Sequence, residues 1–239
     1  MSPPDSPGKL PASNPPPRIV LVSAGQVSMA PADQAFRAGW PQVNPIHVLD
    51  ESLSTDGAKL GPTHPEIIGR FDHLGEYAAR MRADALLFTC SAFAQAIGRV
   101  RRAQPFPVLT PNEALFDRLL ATQGRTAVLV TFPASLDALR AELEEQAAAA
   151  RVEPHVDFIL VPDAFGAADH DRKVVDQCVK LAGRYQALAL GQFSMARALE
   201  AARSACPVPV WDTPGTAVAK LRAAWEARSP VQLTAARSG

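Results

Sequence analysis

Cys90 ends an apolar run in LFTCSAF (87–93), and Gln192 ends a second apolar run in LALGQFSMA (188–196). A thiol and a carboxamide therefore stand at matching places, each after a strand-like segment and before small or polar residues. A thiol can give or take a proton at carbon, whereas a carboxamide does neither near neutral pH. The residues after Cys90, SAFAQAIGRV, read as a helix from about Phe93. A helix N-terminus there would lower the thiol pKa below the ordinary value of about 8.5 and favour thiolate. Its free backbone N–H groups, with Ser91 and Ala92, would hold a carboxylate beside the sulfur. The opposing reading is a buried cysteine that merely closes a strand, and the residue alone leaves the two in balance.

Other residues at the ends of apolar runs are candidates for the same site: Ser23, Asp50, Thr131, Ser194 and Thr213. Their hydroxyls suit carboxylate binding, but Ser and Thr cap helices by default. Asp50 and Glu51 form an acid or base pair in LDESL, or else Asp50 caps the turn that follows. Cys178, in RKVVDQCVKLAG, lies four residues after Val174 and three before Leu181, which makes it a core-facing helix residue. Cys206 precedes Pro207 at a strand entry, the end away from the candidate site. The five histidines, His47, His64, His73, His155 and His170, show no metal-ligand spacing. His64, between Thr63 and Pro65, is the one kept as a further proton donor. No GxGxxG, no GK[ST] loop and no GxSxG elbow occurs, so the expectation is an enzyme with neither cofactor nor metal.

The elements that must position these residues alternate along the chain. Strand-like runs fall at 18–23, 46–50, 85–89, 107–110, 126–131, 157–161, 187–191 and 207–211. They read as continuous apolar stretches because helices cover both faces of a parallel sheet. Ile67, Phe71, Leu74, Ala78 and Met81 repeat at spacings of four and three, a helix with one apolar face entered at Pro65. Thr110 and Glu113 form a capping box, so another helix starts sharply there. Further helices are expected over 134–150, 169–182, 194–204 and 216–227. Strand and helix thus alternate throughout, which predicts an α/β fold of two lobes, each a four-stranded parallel sheet flanked by helices. Lobe one takes 18–110, lobe two takes 111–212, and a C-terminal helix over 213–230 packs back on lobe one. Ligands of open α/β sheets bind outside the carboxyl ends of the strands, where Cys90 and Gln192 both fall, so the active-site cleft lies between the lobes. GQVSMA (25–30) and GQFSMA (191–196) agree at five of six positions, but the match is out of register with the lobe symmetry and reads as chance.

Composition limits the functions open to such a chain. Its 239 residues, 47% hydrophobic and 20% charged, suffice for a substantial core, and the formal net charge is +0. Neither a basic surplus nor a Lys/Arg-rich run marks a nucleic-acid or membrane face. No stretch offers the roughly 18 uncharged apolar residues of a membrane helix, and the start lacks the apolar segment of a secretory signal. A cytoplasmic protein is expected. Three cysteines without CxxC spacing argue for reduced thiols. Residues 1–17 hold seven prolines and are expected to form a disordered tail outside the fold.

FTCSAF, the second loop LGQFSMA, and the accompanying VLDESLSTD, PNEALF and LVTF together resemble the aspartate/glutamate/hydantoin racemase superfamily, over about residues 18–225. The resemblance is to an Asp/Glu racemase-like branch, and it implies two flavodoxin-like lobes and cofactor-independent chemistry at the carbon next to a carboxylate. In the family's racemases two cysteines flank that carbon, one removing a proton and the other returning it. Cys90 matches the first, but Gln192 stands at the second, so the two-thiol mechanism does not transfer. What the resemblance implies is a racemase or isomerase acting on a small carboxylate or amino acid with Cys90 as acid or base. A single-cysteine decarboxylase or lyase is the alternative, and a non-catalytic protein that binds a small acid is the second. The family's use of strand-end hydroxyls implies substrate binding by Ser91, Thr131 and Ser194, with a homodimer as the default assembly.

Overall fold

The apolar runs become eight strands in two parallel sheets. β1 (Ile19–Ser23), β2 (Ile46–Leu49), β3 (Ala85–Phe88) and β4 (Val108–Leu109) form the first, in the order β2-β1-β3-β4. β5 (Thr126–Val130), β6 (Val156–Leu160), β7 (Ala187–Leu190) and β8 (Val210–Asp212) form the second, in the order β6-β5-β7-β8. The computed structural model describes residues 16–227. The expected tail over 1–17 therefore lies, but for its last two residues, outside the described residues, as do the final positions of the helix expected over 213–230.

Central strands β1, β3, β5 and β7 are buried along their whole length, whereas the edge strands β2 and β6 are half exposed. β8 is shorter than its apolar run because Pro207 and Pro209 have no N–H for the ladder; Pro209 contributes only its carbonyl, which accepts from Leu188. The helices follow in order: α1 (Met29–Gly39), α2 (Ser52–Leu60), α3 (Pro65–Arg80), α4 (Ala94–Ala103), α5 (Glu113–Leu120), α6 (Leu136–Ala150), α7 (His170–Leu181), α8 (Leu199–Ala205) and α9 (Thr213–Glu226).

Two of these, α1 and α2, are not expected from the sequence pattern. Pro31 sits in the first turn of α1, and SLSTDGAKL is rich in residues that prefer turns. Proline is tolerated in a first turn and α1 is otherwise rich in good helix formers, with Ala32 and Phe36 buried, whereas α2 forms because burial of Leu53 outweighs propensity. The capping box of α5 does form, with Glu113 N–H donating to Thr110 Oγ1 at 3.2 Å and Thr110 N–H donating to the Glu113 carboxylate at 3.1 Å. Where a helix was expected over 194–204, a 3-10 turn over Phe193–Ala198 precedes the shorter α8.

Each sheet carries a hydrophobic cluster on either face. Ala217, Val218 and Leu221 of α9 join Ile19, Leu21, Phe36 and Leu87 in one of them, as does Phe193 from the turn after β7. The second half of the chain thus reaches into the first sheet's core. The lobes also meet at the carboxyl ends of their strands. The turn after β3 packs on the turn after β5, and the turn after β1 packs on the turn after β7. GQVSMA and GQFSMA supply this second contact, so the two similar hexapeptides touch across the lobes without being equivalent in the duplication.

Candidate active site

Strand register relates the two lobes residue by residue. Val22 lies opposite Phe88 in the first sheet and Leu129 opposite Leu190 in the second. Thr89 N–H then donates to Val22 O, as Gly191 N–H donates to Leu129 O. Cys90 and Gln192 are accordingly the equivalent residues of the two lobes, each in extended backbone just before a 3-10 turn.

Cys90 is held by the turn Ser91–Phe93, whose Phe93 ring is buried against Phe71 at 5.0 Å between centroids. Behind it runs a chain of buried hydroxyls: Thr89 Oγ1 donates to Ser23 Oγ at 3.0 Å and lies 2.8 Å from Ser28 Oγ, which donates to Gly25 O at 2.9 Å. Ser23 is wholly buried and so supports the loop from behind. The expected thiolate is corrected by the structure. Burial pushes the Cys90 thiol above its ordinary pKa, and the nearby Ala92 N–H only partly offsets this. The helix expected from about Phe93 does form, as α4 from Ala94, but a 3-10 turn separates Cys90 from it and desolvation of the buried thiol prevails. Ser91 and Ala92 are both half-buried beside it.

On the other lobe Gln192 is locked. Its Oε1 accepts from Thr131 N–H at 2.8 Å, from Thr131 Oγ1 at 2.8 Å and from Phe132 N–H at 3.2 Å, and its Nε2 lies 3.4 Å from Ser135 Oγ. Gly191 permits this, since a Cβ there would stand 2.6 Å from Val128 Cγ1 and 3.0 Å from Leu129 O. Thr131, expected to bind substrate, has its hydroxyl and amide engaged by Gln192. Ser194 is half-buried on the turn that follows.

The remaining candidates are engaged by their own neighbours. Asp50 accepts from Ser52 N–H at 3.1 Å and from the Ser52 hydroxyl, and pairs with Arg70. Burial opposes its ionisation, but Ser52 and Arg70 prevail and hold its carboxyl below the usual range. It accepts from the first N–H of α2 and its charge is paired with Arg70. Thr213, a candidate by position, is buried and donates to Leu190 O at 2.8 Å. His64 caps α3, its Nδ1 accepting from Glu66 N–H at 3.3 Å. Cys178 is fully buried, its thiol pushed up to about 12 by burial, and Cys206 ends α8. Among the described residues no group of three or more His, Cys, Asp or Glu side chains is placed to hold a metal ion, and no helix is long and apolar enough to cross a membrane. A groove of about 720 Å³ lined by Arg125, Arg140, Asp157, Arg184 and Tyr185 lies on lobe two, but it contains neither Cys90 nor Gln192.

Sequence reasoning missed three groups. Ser28 and Thr89 needed the strand register to appear as partners. Phe132 and Phe165, whose rings stack at 4.8 Å, looked like loop residues. Glu142 reads as a solvated helix position, yet it is buried, accepts from the Thr110 hydroxyl, and is pushed up to about 7 by that burial.

A two-lobed α/β chain with a thiol at one strand end and a locked amide at the other defines a class of protein. The family model for Asp/Glu/hydantoin racemase matches residues 63–221, and the chain belongs to that family. Solved structures agree in fold. Allantoin racemase from Klebsiella pneumoniae is 16% identical, with 88% of each chain covered and a TM-score of 0.68. A glutamate racemase isoform from Bacillus anthracis is 13% identical over 89% of this chain and 83% of its own, with a TM-score of 0.64. A glycine-to-cysteine mutant of arylmalonate decarboxylase, in a sulfate-associated form, is 19% identical over 89% of this chain and 95% of its own, with a TM-score of 0.59. A search of curated protein sequences finds no significant match.

Proposed function

We propose that this protein carries out a one-sided, cofactor-independent proton transfer at the α-carbon of a small carboxylate, with Cys90 as the transferring thiol. The observation that carries the reading is the asymmetry of two equivalent strand ends: a thiol in one lobe, and in the other a carboxamide whose oxygen already accepts three hydrogen bonds. Racemisation needs a proton taken from one face and returned on the other, and Gln192 can do neither. Decarboxylation needs only one. A geminal dicarboxylate would break its bond between the α-carbon and one carboxyl group, releasing carbon dioxide and leaving the electron pair as an enediolate. The Cys90 S–H would then protonate the α-carbon, and the resulting thiolate would regain a proton from water. Burial of Cys90 favours this direction, because a thiol with a raised pKa is a proton donor at neutral pH. The structural neighbours include racemases and a decarboxylase, which keeps an isomerase acting through Cys90 as base as the second reading.

The test is to incubate the protein with phenylmalonate in deuterated water. Release of carbon dioxide and one deuterium at the α-carbon of phenylacetate, both lost in Cys90→Ser, is the expected result. Exchange of an α-proton with no carbon dioxide would favour the isomerase. Binding of carboxylates with neither outcome would make the protein a sensor of small acids and sink the catalytic reading.

A further inference from the structure

The donor set around Gln192 Oε1 is that of an oxyanion site: two successive backbone N–H groups and a hydroxyl converging on one oxygen. The protein's own side chain fills it. Gln192 is itself half-buried, and Ser135 and Thr131 on either side are buried, so the carboxamide sits as a fitted plug. On lobe one the equivalent backbone belongs to Ala24 and Gly25, beside Cys90 by register. Among the described residues no side chain is hydrogen-bonded to the N–H of either. Next to the plug the surface turns apolar. Phe132, whose N–H is part of the donor set, stacks on Phe165 from the loop after β6, with ring centroids 4.8 Å apart and planes tilted by 30°. Phe132 is 36% exposed and Phe165 64%, so this aromatic face is open at the carboxyl ends of β5 and β6. No cationic side chain donates to Gln192; its partners are backbone N–H groups and hydroxyls alone.

We propose that Gln192 and the Phe132–Phe165 pair set the substrate class: the ligand is anchored by one carboxylate on the Cys90 side and lays an aromatic substituent on the two rings. The plug excludes acids whose second carboxylate is spaced for the opposite lobe, such as aspartate, glutamate or succinate. The inference rests on the proposed function in placing a carboxylate beside Cys90. A dicarboxylate would have to evict the Gln192 oxygen from three donors and leave the carboxamide without them. A phenyl group instead removes apolar area from water against rings already exposed.

Alkylation of Cys90 by iodoacetamide, followed by peptide mass spectrometry, gives the test on the full chain with acetate, phenylacetate, succinate and L-glutamate as probes. Phenylacetate is expected to half-protect Cys90 at a concentration about tenfold lower than acetate, succinate or glutamate. Phe165→Ala, at an exposed position, should erase that advantage while acetate protects as before. Gln192→Ala should improve protection by succinate. Succinate or glutamate protecting the unaltered protein as well as phenylacetate does would overturn the inference and leave the carboxylate site standing. Retention of the phenylacetate advantage in Phe165→Ala, or no gain for succinate in folded Gln192→Ala, would overturn it too. If no carboxylate slows the alkylation of a reactive Cys90, the proposed function itself fails, and this inference with it.

Discussion

At the residue scale the chemistry turns on two side chains that a duplicated fold made equivalent and the sequence made different. Cys90→Ser keeps the volume and the Ala92 contact but replaces the proton donor with a hydroxyl of much higher pKa. Turnover is expected to fall by about 10²–10⁴, the range attached to a lost general acid, with the thermal transition unchanged within about a degree. Steady-state kinetics beside a melting curve checks both halves; a variant that keeps its rate removes Cys90 from the mechanism. Cys90 was legible in the sequence because an apolar run that stops at a thiol marks a strand end. Gln192 was legible as its counterpart, but not as a side chain locked by Thr131 and Phe132. Which atom fills a donor set depends on backbone that comes together from residues about 60 positions apart. The same limit applied to the thiol's pKa, where the sequence promised a helix dipole and the fold delivered burial.

At the element scale, close packing holds the Cys90 turn in place. Gly57 of α2 faces the Phe93 ring so closely that a Cβ would stand 2.8 Å from its Cε1 and Cζ. Phe93 cannot yield easily, being buried between Phe71 and the first core cluster. Gly57→Ala is therefore expected to destabilise by about 1–3 kcal/mol through overpacking, despite alanine's higher helix propensity, and to change the alkylation rate of Cys90. Gly191→Ala carries the same penalty on lobe two, where backbone oxygen and Val128 crowd the position. Urea denaturation measures both; a stabilised Gly57→Ala would show that Phe93 is loosely held. The strands and the long helices were readable from apolar runs and three-four spacing. Helix α2 was not, because SLSTDGAKL favours turns and only burial of Leu53 argues for a helix; α1, alanine-rich with Pro31 in its first turn, was not read although its composition favours one.

At the scale of the whole molecule, one buried carboxyl ties the lobes together and makes their union depend on pH. Glu142 projects from α6 of lobe two and accepts from the hydroxyl of Thr110, at the end of β4 in lobe one. Burial raises its pKa from 4.5 to about 7, against the opposing pull of Thr110. A carboxyl whose folded pKa exceeds its unfolded one binds a proton that the unfolded chain has released. Its contribution is full below about 4.5 and is lost as pH rises to about 7. The loss amounts to about 3 kcal/mol. Asp212, raised to about 6 by burial, acts in the same sense. Denaturation midpoints should fall as pH rises from about 4.5 through 7 in the unaltered protein and fall less steeply in Glu142→Gln. An equal slope in both would place the pH dependence elsewhere.

The central claim, that Cys90 is a neutral thiol at a carboxylate-binding strand end, is met most directly by the pH profile of its alkylation in the folded protein. Cys178 and Cys206 serve as internal controls, and the profile is taken with and without phenylacetate. The account predicts that Cys90 reacts, with a midpoint above the ordinary thiol value of about 8.5, and that phenylacetate slows the reaction. A midpoint below that value would make Cys90 a thiolate base, and inertness equal to that of buried Cys178 would remove it from the chemistry altogether.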